Sequence, residues 1–217
     1  MPERSIVCDD QSVRAILAGH KTQFRRVIKN IPWRKGCNPE FSQASAFVNA
    51  GEFRIAGSQE MTTGFRCPFG MPGDRLWVKE VWAPRTLGRW SVLDKHMEPL
   101  HRASNDRPEW KSIWRPGITM PRWASRLLLE VTSVRVQRLH QISHRDAIQE
   151  GAKRIEVARG CDPMFSFEEI EWAEILDHRA FAHTDPRHAF RDRWTNAKGE
   201  WDPNQWVWAV EFRRIQQ

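Results

Sequence analysis

Arg122 and Arg126 flank Trp123, a spacing that suits single-stranded nucleic acid, because guanidinium groups pair with phosphates while an indole stacks on a base. The same three residues also fit a plainer arrangement, in which Trp123 fills the end of the core and both arginines are solvated. Arg26 carries two readings as well: it binds phosphate, or it locks a loop through a carboxylate such as Asp74. Lys21 follows a glycine corner and Glu150 stands before Gly151 at the end of a short helix; taken alone, each is an ordinary solvent-facing charge. His140, His144, His178, His183 and His188 lie around different predicted elements, and no H-x-x-x-H pair with a carboxylate emerges, which argues against a metal-dependent nuclease. Cys8, Cys37, Cys67 and Cys161 form no C-x-x-C pair, so free thiols are expected, and no metal or other cofactor.

The composition frames these candidates. The chain has 217 residues, 40% hydrophobic and 28% charged, which suits one globular domain with long insertions rather than a disordered or membrane protein. A net charge of +7 favours contact with phosphates. Twelve tryptophans and no tyrosine supply indole faces for stacking, although most are expected in the core. No apolar run approaches membrane-spanning length, and residues 1–11 lack the apolar core of a signal peptide, so no membrane contact and a cytoplasmic location are expected.

The elements that must position these groups follow from local pattern. Residues 11–18 read as a helix with Val13, Ile16 and Leu17 on one side, Asp10 as cap and Gly19 as stop; residues 22–28 then leave as a strand, so Lys21 sits at the corner. Residues 45–55 form a hairpin around Ala50-Gly51. In the strand 75–82, Leu76, Val78 and Glu80 share one face. Residues 84–121 show no period and read as a long loop insertion, a lid or binding arm. The longest strand covers 125–139 with a bulge near Thr132-Ser133, and 143–151 is a helix with Ser143 as N-cap and Asp146 at the capping-box position. Helices over 167–181 and 186–194 make 143–195 a helical insertion, and 205–213 closes the chain as a strand in which Val207 and Ala209 oppose Trp206, Trp208, Val210 and Phe212. Strands with helices between them and no βαβ rhythm favour a small mixed barrel.

The corner Gly19-His20-Lys21-Thr22-Gln23-Phe24-Arg25-Arg26 resembles the signature of the ASCH (PUA-like) superfamily: a glycine, a lysine two residues later, a threonine or glutamate three after that, and an arginine two further on. Gly19, Lys21 and Arg26 match; Phe24 does not. Cys67-Pro68-Phe69-Gly70, Pro72-Gly73-Asp74-Arg75-Leu76-Trp77-Val78-Lys79-Glu80, Met120-Pro121-Arg122-Trp123-Ala124-Ser125-Arg126 and Trp206-Val207-Trp208 are similar, in the same order, to the phage and prophage branch of that superfamily.

The resemblance implies an α+β fold, a PUA-like mixed β-barrel with inserted helices and a long loop insertion, whose cleft takes RNA, a single-stranded nucleic acid or a modified nucleoside. In some relatives it implies hydrolysis of acylated cytidine or of RNA. Position for position the catalytic lysine is Lys21, the glutamate looks like Glu150, and the threonine falls on Phe24, which has no oxygen to act as nucleophile. Lys21 and Glu150 would then activate a water, Glu150 as general base and Lys21 as stabiliser of developing negative charge. Phe24 either stacks on a base or fills a pocket that no longer works. The expectation is an RNA-binding or modified-nucleoside-binding protein, phage or prophage encoded, with Lys21, Phe24, Arg26, Arg122, Trp123 and Arg126 at the ligand. The alternatives are an amidohydrolase on N4-acylated cytidine or a ribonuclease, and an accessory protein that grips a host protein through 84–121.

Overall fold

The computed structural model describes residues 3–41, 43–84, 99–104, 114–157, 161–168, 175, 181–197 and 199–216. In chain order the elements are β1 (Glu3–Val7), α1 (Asp10–Leu17), β2 (Gln23–Val27), β3 (Ser45–Asn49), β4 (Glu52–Ala56), β5 (Arg75–Lys79), β6 (Trp82–Ala83), β7 (Leu100–His101), β8 (Leu128–Arg138), α2 (His144–Gln149), β9 (Lys153–Ile155), β10 (Met164–Ser166), α3 (Pro186–Asn196) and β11 (Trp206–Ile215).

One five-stranded mixed sheet, in the order β1-β5-β8-β11-β2, organises the α+β fold; β1 runs parallel to β5 and the other neighbours are antiparallel. Its two faces follow from strict alternation. Phe24 pairs with Val210 and Val210 with Val134, and these join Leu76, Val78, Leu129, Val131, Trp206, Trp208 and Phe212 in the main core. On the other face, Arg25 pairs with Ala209 and Ala209 with Arg135, so the smallest side chain of the row lies between two guanidinium groups. Val207, on this second face, packs with Leu139, Ile142, Ala147 and Phe190, which docks α2 and α3 against the sheet. Between Glu211 and Phe212 the register of β11 on β8 shifts and Thr132 is left unpaired, the bulge expected near Thr132-Ser133. The hairpin β3/β4 turns through Ala50 and Gly51, both at positive φ.

Among the described residues the sheet does not close: no backbone ladder joins β1 to β2, so the expected closed barrel is not formed. The edges nevertheless approach, because Arg26 Nη2 donates to the Val7 carbonyl across the gap at 3.1 Å. Several sequence boundaries also move. Asp9, not Asp10, caps α1, accepting the Ser12 N–H at 2.7 Å. The long strand begins at Leu128 because Arg122–Ala124 form a 3-10 turn. The strand read as 75–82 stops at Lys79, and Trp82–Ala83 instead pair with Leu100–His101, so part of 84–121 belongs to a ribbon rather than a bare loop. The helical insertion contains an unexpected ribbon, β9 with β10. Phe167 and Glu168 form a bend, Ile175 is helical and Phe181 is not; the remainder of the helix expected over 167–181 lies outside the described residues. β1 escaped notice because Ile6 is its only buried residue. Among the described residues no helix is long and apolar enough to cross a membrane.

Candidate functional site

Two chain reversals bring together residues far apart in sequence. After α1, Gly19 takes φ +76° and the chain doubles back, so that the Lys21 N–H bonds the Ala15 carbonyl at 3.1 Å. The Thr22 N–H then bonds the Gln149 carbonyl at 2.9 Å, which ties this corner to the end of α2. The start of α2 is fixed by the reciprocal Ser143–Asp146 capping box. Its end is fixed by Gly151 at φ +112°, a backbone conformation that any side chain would strain.

Lys21 and Glu150 meet in this arrangement. Lys21 Nζ donates to the Glu150 carbonyl at 2.6 Å and to its carboxylate Oε2 at 2.9 Å. The other carboxylate oxygen, Oε1, is held by Arg25 Nη1 at 2.9 Å. Arg25 also pairs through Nη2 with Asp146 at 3.0 Å, and Arg135 Nη2 donates to Asp146, Gln23 and Glu211 at 2.8, 3.1 and 3.0 Å. Buried charges are tolerated only when paired in this way, since desolvation of a lone ion outweighs ordinary packing gains. Burial by itself pushes the Asp146 carboxyl up, but the hydrogen bond from Arg135, the Ser143 N–H and the charge of Arg25 outweigh it and hold the group down at about 2. Asp146 is therefore an anion at neutral pH.

This charged floor opens into a cleft of about 760 Å³ between α1, the corner, β2, the end of α2, Phe167 and α3. That is the size of a small-ligand site. Arg14, Lys21, Arg25, Arg26, Lys29, Lys153 and Arg193 line it against three carboxylates, Asp9, Glu150 and Glu168. Phe167 and Trp194, both partly buried, supply aromatic surface, and Phe190, 3% exposed, packs against them from the core. Among the described residues, Arg14 and Lys29 have no carboxylate partner and Arg26 donates only to the backbone carbonyls of Arg25 and Val7. Positive charge is thus left uncommitted in a concave surface, where its field is strongest.

Three of the residues singled out by sequence gather here: Lys21, Glu150 and Arg26. Phe24 does not. It is 2% exposed on the opposite face of β2, with its ring 5.1 Å from Phe69 and 5.9 Å from Phe212, so stacking on a base is replaced by core packing. Asp74 does not lock Arg26; it accepts the Met71 N–H at 3.0 Å. Arg122, Trp123 and Arg126 lie outside the cleft. Arg122 pairs with Glu3 at 2.9 Å, and Arg126 makes a two-pronged 2.9 Å contact with the buried carboxylate of Glu80. Trp123, 41% exposed, sets its ring edge-on to Trp82.

Arg25, Asp146 and Arg135 were missed as a network. Alternation carried one usable signal, since a strand that turns Phe24 inward must turn Gln23 and Arg25 the other way. Nothing in the sequence pairs Arg135 with Asp146. Burial pushes the thiols of Cys8 and Cys67 up to about 11, which leaves them unreactive at neutral pH. Among the described residues, no three of His, Cys, Asp and Glu gather as a metal site. No family model, curated protein or solved structure matches the chain.

Proposed function

We propose that this protein binds RNA, a single-stranded nucleic acid or a modified nucleoside in the cleft above Lys21 and Glu150, on a scaffold that is an open variant of the PUA-like barrel. One observation carries the reading: the cleft combines aromatic surface with Arg14, Arg26 and Lys29, which no carboxylate among the described residues neutralises. Aromatic faces take bases of any sequence, and uncommitted Lys and Arg take phosphates. The ASCH-like signature supports the same place, because its matching residues Lys21 and Arg26 line that cleft. Equilibrium binding of a short single-stranded RNA, measured over a range of KCl concentrations, tests the reading. With Arg14, Arg26 and Lys29 each on a phosphate, the logarithm of the affinity should fall with the logarithm of salt at a slope of about 2. Binding that ignores salt, or that survives Arg14→Gln with Lys29→Gln unchanged, refutes it.

The 2.9 Å Lys21–Glu150 pair at the cleft floor favours a second reading, hydrolysis of N4-acylated cytidine or of RNA. It ranks second because both carboxylate oxygens of Glu150 already accept from cations, which weakens Glu150 as a base. Incubation with N4-acetylcytidine and RNA, followed by mass spectrometry, should show product that disappears in Glu150→Gln if this chemistry operates; unchanged turnover in that variant removes Glu150 from the mechanism.

A further inference from the structure

The two walls of the cleft touch at the N-terminal end of α1. Gln11 donates to the carbonyl of Phe167, and Arg193 on α3 pairs with Asp9, which is also the cap of α1. All four residues line the cleft. Asp9 therefore places a negative charge inside a cavity otherwise rich in positive charge. Burial pushes its carboxyl up, but the Ser12 N–H and the charge of Arg193 hold it below the ordinary carboxylate range, so it is ionised at neutral pH. The Asp9 side chain is 55% exposed, and a carboxylate half in water is a weak holder of a guanidinium.

A phosphate monoester carries about −1.5 to −2 charges and three acceptor oxygens at neutral pH, against one charge and two oxygens for a carboxylate. It bonds an arginine in the same two-pronged geometry. Resting on the binding role proposed above, we infer that the ligand of the cleft carries a terminal phosphate monoester, which takes Arg193 from Asp9. The Gln11 contact, which the ligand leaves in place, ties α1 to Phe167 at that end, so the cleft suits a free nucleotide or the phosphorylated end of a strand rather than its interior. Asp9 acts as an internal competitor that only an anion of higher charge displaces, and this makes the phosphate a condition of tight binding.

Isothermal titration of the full chain with the four ribonucleoside 5′-monophosphates, the four nucleosides, and one short oligoribonucleotide with and without a 5′-phosphate tests this. The best nucleotide should bind about tenfold tighter than its nucleoside, the worth of a charge-assisted contact. Asp9→Asn keeps a good helix cap, so the fold survives, and it should widen the advantage of the nucleotide over its nucleoside about threefold. Arg193→Gln should erase the advantage of the nucleotide. Competition by the phosphorylated oligonucleotide alone identifies the ligand as a strand end, and competition by neither oligonucleotide identifies it as a free nucleotide. Equal affinity for nucleoside and nucleotide, or equal binding of both oligonucleotides, overturns the inference and leaves the binding role standing. Silence from every probe removes both.

Discussion

The chain contains two Arg-Trp pairs that meet opposite fates. Arg193 and Trp194 lie on α3 in the wall of the cleft, where Trp194 packs on Phe190 and Arg193 has only a half-exposed carboxylate for a partner. Arg122 and Trp123 lie on a 3-10 turn outside the cleft, where Arg122 pairs with Glu3 and its guanidinium carbon lies 5.9 Å from the Trp77 ring centroid. Their neighbour Arg126 is fixed to Glu80, which is fully buried. The residue types are the same and the chemistry differs. Both arginines are paired with part-exposed carboxylates, and what separates them is place: Arg193 and Trp194 line the cleft, and Arg122 and Trp123 do not.

The contrast is sharpened by removing the carboxylates on which each region rests. Asp146→Ala, in the ion network that holds the cleft-lining Arg25, leaves Arg25 buried without one of its two anions and removes the capping box of α2, so urea unfolding should show a loss of about 3–5 kcal/mol. A loss below about 1 kcal/mol, the scale of an exposed pair, would mean that the network is solvated and the floor is not a rigid platform. Asp146 also sets a pH signature. Its folded pKa of about 2 lies below its ordinary 3.8, so its contribution to stability is present above about pH 4 and is lost as pH falls through 2. The stability gap between wild type and Asp146→Asn should accordingly be constant above about pH 5 and narrow below pH 4; a gap independent of pH down to 2 contradicts the pairing.

Glu80→Gln makes the matching cut in the second region. Arg126 is 28% exposed and can recover some hydration, so the loss should be smaller, about 1–3 kcal/mol, with nucleotide binding unaffected. A drop in binding would place the ligand on the Trp123 side and break the comparison. Arg122→Ala removes an exposed ion pair and should change stability by no more than about 1 kcal/mol. A larger effect would mean that its contact with Trp77 matters more than its charge.

Much of the scaffold was legible because it depends on local periodicity. The opposed faces of β11, the bulge at Thr132, the hairpin turn at Ala50-Gly51 and the capping box of α2 each follow from a few adjacent residues. Where a strand has one inward residue, as β1 does, the pattern is too thin to see. The ribbon β9/β10 was missed for a similar reason: each strand is three residues long, below the length at which alternation becomes recognisable.

The site divides along the same line. The sequence by itself determined that Lys21 stands at a helix-to-strand corner and Glu150 at a helix end before a glycine, because turns and caps are local. That these two ends touch, that Arg25 rather than Phe24 faces the cleft, and that Arg122 and Arg126 are already neutralised were decided only by the tertiary structure. The physical reason is that charges pair through space. Lys21 and Glu150 are separated by 129 positions and Arg126 and Glu80 by 46, and no periodicity along the chain encodes which cation a buried carboxylate will hold.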